Sequence, residues 1–375
     1  MKSTLNLRKK MEKIMKKQIK LFDPIIDESE EKSIIKVLRS KYWASGSGIG
    51  NVEKFENQLN NYLGSKDSVA VNSGTSALNL ALSLIDIKNK EVIVPSLTFV
   101  STIHAIKLNG GKPIFVDVDE KNLCIDAEEI IKNITSKTKV ILPVHFGGMP
   151  CNLSQTKKIC KDYDLIQIED AAHAIGSTYK NQKIGTHGTA VCFSFHPVKN
   201  LAMPTGGLIS INGKSSKKFK KILNSRRWCG ISNRQNSFYD VEEMGWNYYM
   251  NEFSAAIGII QLKKLDILNK KRKKIAKLYS KKINLDQKMQ YDENCSYHLY
   301  WIQVKNRSQF RKKMNNIGIE TGIHYRPVHT FSMYKINRHL PITEKVGNEI
   351  VSIPIHPNLS DDEISRIVNA VNEFS

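Results

Sequence analysis

Between about residues 65 and 212 the chain alternates short apolar runs with longer mixed stretches. The runs are DSVAVN, EVIVPS, KPIFVDV, KVILPVH, DLIQIED, AVCFSF and GLISI, all rich in β-branched residues. Their apolar positions are largely continuous rather than alternating. Continuous runs belong to strands covered on both faces, so the pattern predicts a largely parallel sheet between helices. In such sheets ligands bind beyond the carboxyl ends of the strands. The residues just after each run are therefore the candidates for chemistry.

The second half of the chain reads differently. Residues 251–282 predict one long helix, apolar on most sides at first and heavily charged later. A helix that leaves a core and becomes exposed fits this, with a boundary near residue 265. YHLYWIQV then predicts a strand and 307–317 a helix. The closing LSDDEISRIVNAVNEF predicts a helix with Ser360 and Glu363 as a capping box. Its Ile364, Ile367, Val368, Val371 and Phe374 form one apolar stripe. Three segments result: a basic arm over 1–19, a large domain over 20–265 and a smaller α+β domain over 266–375. In the arm, Leu7, Met11, Ile14 and Met15 recur at helical spacing, as in an amphipathic or partner-docked helix.

Composition supports a sizeable core, with 41% hydrophobic residues in 375. No stretch approaches the roughly 20 apolar residues of a membrane helix, and no apolar secretory signal opens the chain. Six cysteines without a CxxC pair read as reduced thiols of a cytoplasmic protein. The 57 Lys+Arg against 36 Asp+Glu give a net charge of +21. An anionic partner, nucleic acid or a phosphorylated small molecule, is one explanation. A lysine-rich, solvated surface is the other, and the dispersed lysines without interleaved aromatics favour it. Neither a nucleic-acid nor a membrane partner is expected.

Three features after different strands carry chemistry. DSVAV runs into Asn72-Ser73-Gly74-Thr75-Ser76 and then a helical pattern. Gly74 permits close approach, while Thr75 and Ser76 offer hydroxyl and N–H groups at a helix N-terminus, which suits a phosphate. A simple N-cap gives the same signature. LIQIED ends at Asp170, ahead of His173. A carboxylate there either caps a helix or pairs with a pyridine nitrogen and keeps that ring an electron sink. AVCFSF leads to Lys199, which the strand delivers toward the same crevice. Desolvation and a neighbouring cation would make such a lysine nucleophilic. Each feature alone is ordinary; the set points to a cofactor.

The segment EDAAHAIGS…IGTHGTAVCFSFHPVKN resembles the DegT/DnrJ/EryC1/StrS family of sugar aminotransferases. GIGNVEKFE, VNSGTSALNLAL, VPSLTFVSTIHAI, PIFVDVD, PVHFGGMP, GWNYYMNEFSAAIG, YHLYWI, TGIHYRPVH and LSDDEI agree in order, over roughly residues 20 to 375. The resemblance implies pyridoxal-phosphate (PLP) fold type I, the aspartate-aminotransferase-like α/β fold, and a homodimer with shared active sites. It implies Lys199 as the Schiff-base lysine, Asp170 as the pyridine-nitrogen partner and His173 near the ring. Gly74, Thr75 and Ser194, with Ser76 adjacent, match phosphate ligands. Phe99 matches an aromatic stacked on the ring, and Asn247 a phosphate ligand from the other subunit. Trp43, Tyr325 and His329 match positions near the sugar nucleotide. Arg227, beside Arg226 and Trp228, is a candidate for a diphosphate, or part of an interface loop.

The implied activity is transfer of an amino group from an amino acid, glutamate first, to a nucleotide-linked keto-sugar. Dehydratases of the same family carry histidine where this chain has Lys199. A non-enzymatic regulator or nucleic-acid binder is the reading that the charge alone would suggest. The chain departs from the pattern at Pro204 and Thr205, which replace a glycine and an acid after the lysine. Tyr249 stands in place of an arginine and Cys229 in place of a histidine.

Overall fold

A computed structural model describes residues 18–44 and 46–375 of the protein. The helix expected in the arm lies outside the described residues. Ile19, at its end, pairs in parallel with Ile319.

The seven apolar runs become seven strands of one sheet. They are β1 (Asp67–Val71), β2 (Glu91–Pro95), β3 (Lys112–Val116), β4 (Thr138–Ile141), β5 (Ile166–Asp170), β8 (Ala190–Ser194) and β9 (Gly207–Ile211). A short hairpin, β6 (Thr178–Tyr179) and β7 (Gln182–Lys183), lies apart from it. The spatial order is β1-β9-β8-β5-β4-β2-β3. Only β9 runs against its neighbours, β1 and β8. The link from β8 to β9 contains no helix, and a direct return of this kind pairs strands antiparallel. That link carries Lys199 across the carboxyl end of the sheet.

Helices cover both faces. In chain order they are α1 (Glu28–Ser40), α2 (Asn51–Leu63), α3 (Gly74–Ser83), α4 (Val100–Leu108), α5 (Ala127–Lys132), α6 (Leu153–Asp162), α7 (Ser216–Arg226) and α8 (Glu252–Lys282). Against one face pack Ala77 and Leu80 of α3 and Ile103 and Ile106 of α4, over Val69, Val71 and Ile209. Against the other pack Phe55 and Leu59 of α2 and Leu262 and Leu265 of α8, over Val191, Phe193 and Leu208. Phe55 meets Phe195 edge to face at 5.5 Å, an arrangement that adds about 0.5–1.5 kcal/mol beyond area burial.

The charged second half of α8 is not free of the core. Leu268, Ile275, Ala276 and Tyr279 are buried, and the lysines occupy the remaining faces. Composition averaged around the helix hid this stripe. The same apolar cluster reaches Trp301 of β12 (Tyr300–Gln303), Ile353 of β13 (Ile350–Ile353), and Ile367 of the last helix. β12 and β13 pair antiparallel, flanked by α9 (Arg307–Asn316), α10 (Pro341–Glu349) and α11 (Asp361–Phe374). The Ser360–Glu363 capping box is formed. An exposed hairpin, β10 (Ile231–Gln235) with β11 (Phe238–Val241), was not foreseen.

Candidate active site

Strands β5 and β8 are parallel neighbours, with Asp170 opposite Cys192. Both therefore open onto the same edge of the sheet. The Asp170 carboxylate is buried and accepts hydrogen bonds from the Thr102 hydroxyl at 2.8 Å and the Ala172 N–H at 3.1 Å. Burial raises its pKa, while those donors and the Lys199 charge oppose the rise. Thr102, on α4, stands 2.9 Å from Thr98, so a chain of hydroxyls holds the carboxylate in place.

At the end of β1 the chain turns into α3. The Ser73 hydroxyl caps that helix by accepting from the Ser76 N–H at 3.1 Å. Ser76 in turn donates to the Asn72 side chain at 2.6 Å. Gly74, the first residue of α3, faces Ser194 at the end of β8. A Cβ at Gly74 would stand 2.6 Å from the Ser194 Cβ. The helix start and the strand end thus form a narrow cradle with positive partial charge. Gly74→Ala is expected to lower stability by about 1–3 kcal/mol through overpacking and to weaken phosphate binding. Thermal unfolding and an inorganic-phosphate titration measure the two effects.

Lys199 lies in the turn after β8, its N–H bonded to the His196 carbonyl at 2.8 Å. Its amine is 3.3 Å from His298 Nε2. Burial lowers its pKa to about 8, against the pull of Asp170. His173 follows β5. Its Nδ1 accepts from the Gly147 N–H at 3.2 Å, so its proton sits on Nε2, 3.0 Å from the Tyr325 hydroxyl. Burial and the Lys199 charge hold His173 well below the ordinary histidine range. It is a neutral, oriented ring.

These groups share one cavity of about 320 Å³. Of the residues expected from sequence, Gly74, Thr75, Phe99, Asp170, His173, Ser194, Lys199 and Tyr325 line it. Phe99 is half-exposed at its wall and tilted against Tyr325 at 5.9 Å; it is not a core residue. Ser76 and Asn247 line an adjoining open depression with Asn72, Ser73, Thr205 and Tyr249.

Three expected residues stand elsewhere. Arg227 is buried, and its guanidinium donates to Glu56 at 2.7 Å and to the Ala70 carbonyl at 2.9 Å. One nitrogen of the fork, Nη1, is thus paired with a buried carboxylate, and leaving Glu56 unpaired would be costly. His329 is also buried. Its Nδ1 lies 2.6 Å from the Ser96 hydroxyl and its Nε2 3.3 Å from Glu344. Its bonds fasten the loop before α10 to the end of β2 instead of reaching the cavity. Trp43 is half-exposed, outside the cavity, with its indole N–H donating to Leu38 at 3.2 Å.

The cavity therefore joins an amine of lowered pKa, a buried carboxylate and a helix-start cradle. A model of the DegT/DnrJ/EryC1/StrS aminotransferase family matches residues 24–372. The chain belongs to this family. An uncharacterized protein of Methanocaldococcus jannaschii is 36% identical over 375 residues, covering 94% of this chain and 96% of that protein. GDP-perosamine synthase of Escherichia coli O157:H7 is 34% identical over 367 residues, covering 96% and 99%. A Streptococcus pneumoniae structure in its PLP form superposes with a TM-score of 0.88 at 25% identity, covering 95% and 98%. The fold is PLP fold type I and the cofactor is pyridoxal phosphate.

The residues present fit that cofactor. The cradle at Gly74 is open only because no Cβ is there, and a buried carboxylate and a desolvated lysine face the same space. The departures from the family pattern have local accounts. The Thr205 hydroxyl donates to the Asn72 carbonyl and ties the lysine turn to the cradle. Tyr249 pairs with Val71 at the end of β1. Cys229 is exposed in a left-handed turn, φ 56°.

Sequence reading missed Thr102, Thr98, His298 and His324. Thr98 and His324 line the cavity, Thr102 holds Asp170, and His298 touches Lys199. One signal was available: a histidine embedded in the apolar run YHLYWI is unusual for a plain strand.

Proposed function

We propose that the enzyme transfers an amino group from an amino acid, glutamate first, to a nucleotide-linked keto-sugar. The observation that carries this reading is the Lys199 amine, of pKa near 8, sharing one cavity with Asp170 and the cradle. The E. coli relative, GDP-perosamine synthase, is named for a nucleotide-linked sugar, which supports the substrate class.

Pyridoxal phosphate supplies the electron sink and carries the amino group between donor and acceptor. Gly74, Thr75, Ser76 and Ser194 would hold its phosphate, Asp170 its ring nitrogen and Phe99 its ring face. Lys199 would hold the cofactor and, once released, take and return the substrate proton; an amine near pKa 8 is available in both protonation states at neutral pH. His173 and Tyr325 close the wall and orient each other. Burial raises the pKa of Asp170, and the Thr102 and Ala172 hydrogen bonds and the Lys199 charge oppose that rise, favouring the carboxylate that would pair with the ring nitrogen.

The proposal includes a homodimer in which Asn247 completes the phosphate site of the other subunit. Its place in an open depression beside the cavity supports this, as do Phe238, Tyr239, Val241 and Met244, exposed on and beside the β10–β11 hairpin. Trp43 remains a sugar-side candidate because its ring is exposed. A cytoplasmic setting is favoured by six free thiols.

A panel of nucleotide keto-sugars with glutamate or glutamine, followed by mass spectrometry, tests the reading. Amino-sugar product with stoichiometric keto-acid is expected. A deoxygenated sugar without amine would instead show a dehydratase, and Lys199 argues against that outcome.

A further inference from the structure

Lys199 also lines a second and much smaller cavity of about 10 Å³. It is lined by Phe22, Asp23, Lys199, Arg272, His298 and His356, among others. Three of these carry a buried nitrogen without a hydrogen-bond partner among the described residues: Arg272 Nη1, His298 Nδ1 and His356 Nδ1. All three side chains are more than nine-tenths buried. Buried orphan donors and acceptors are rare and call for an explanation.

Their chemistry is complementary. Arg272 Nη1 can only donate. His356 Nε2 lies 3.0 Å from the Lys20 carbonyl, so it carries the proton and leaves Nδ1 as an acceptor. An anion would face that lone pair, whereas a water molecule accepts from Arg272 and donates to His356. A cavity of this size holds about one water. His298 Nδ1 is the third orphan, and its ring is held in place. Its ring stacks on Phe22 at 5.6 Å and 16°, and His173 stands 4.4 Å away on centroids. Burial and the surrounding cations keep it neutral.

We propose that one water, held by Arg272 and His356, sets the tautomer of His298, and that His298 is thereby the positioning residue for the Lys199 amine. When Lys199 is an ammonium, His298 Nε2 accepts from it and Nδ1–H donates to the water. When Lys199 is a free amine, one of its N–H groups still donates to Nε2, so its lone pair stays free to attack and the tautomer of His298 does not change. The water then accepts from Arg272 and from His298 Nδ1–H and donates to His356 Nδ1, which holds the proton of His298 on Nδ1. Lys199 thus keeps an aligned partner in both protonation states without a change of charge at His298. This rests on the reading of Lys199 as the reacting amine and adds a residue to it.

The test is acylation of Lys199 by acetic anhydride in the full-length chain freed of cofactor, followed across pH by peptide mass spectrometry. Groups facing the amine are Asp170, His173, His196, His298 and His324, with Arg272 and Asp23 in the small cavity. The wild-type rate is expected to rise with pH and level off above about 8. His298→Phe keeps the ring stack and should slow the plateau rate about tenfold. His298→Gln, whose amide can turn to accept or donate, should restore most of it. Arg272→Met should slow it about threefold, and the double variant should be no slower than His298→Phe alone. Independent, multiplying effects, or full reactivity in His298→Phe, would overturn the proposal. Should a variant not fold, a high-resolution structure of the wild type decides: one water within about 3.2 Å of all three nitrogens supports it, and none there refutes it. Acylation needs neither sugar nor amino donor, so its outcome is separate from that of the substrate screen.

Discussion

Lys199→Ala is expected to lower amino-group transfer by at least about 10³-fold, because one side chain supplies both covalent attachment and proton transfer. Stability should hold or rise slightly. The lysine is desolvated in the folded protein, where burial lowers its pKa to about 8; in the unfolded chain it titrates near 10.4. The folded state therefore disfavours the ammonium at neutral pH, and its removal relieves that cost. The sign is testable in the wild type. This group alone makes stability increase as pH rises from about 8 to about 10.4, since there the unfolded state binds more protons. The alanine variant should lack that increment. Single-turnover kinetics with an amino donor and urea titrations across pH read the two effects.

Asp170→Asn should cost on the order of 10²–10³ in turnover while leaving the fold intact. The amide has the shape of the carboxylate and can still accept from Ala172, and the Thr102 hydroxyl can turn to accept from the new NH2. What is lost is the charge. Asp170 opposes the depression of the Lys199 pKa, so its neutralisation should move the lysine midpoint further below about 8. Acylation of Lys199 should then level off at lower pH in the variant. An equal midpoint with reduced turnover would place the role of Asp170 entirely at the cofactor ring.

The seven sheet strands were legible because nearly all are buried on both faces and so read as continuous apolar runs; β3, at the sheet edge, is buried only in its second half. The antiparallel β9 was not, since an apolar run carries no direction. The β10–β11 hairpin was missed for the opposite reason: ISNRQ and FYDV are exposed, and neither has a buried face to impose a pattern. Within the site, residues that follow strands were found, because the fold rule points there. Thr102 and His298 were not. Thr102 sits on a helix and acts through Asp170, and His298 reaches Lys199 from the segment just before β12, 99 residues away. Such contacts arise from packing between segments far apart in sequence. Arg227 shows what sequence neighbours alone leave open. Two arginines beside a tryptophan suggest an anion site, yet the buried Glu56 that claims Arg227 is 171 residues away.

The central claim is that Lys199 is the residue that holds the cofactor. Borohydride reduction of the protein with pyridoxal phosphate bound, followed by proteolysis and peptide mapping, tests it directly. The account predicts a single stable adduct on the peptide containing Lys199. An adduct on another lysine, or none from a protein that binds the cofactor, would contradict it.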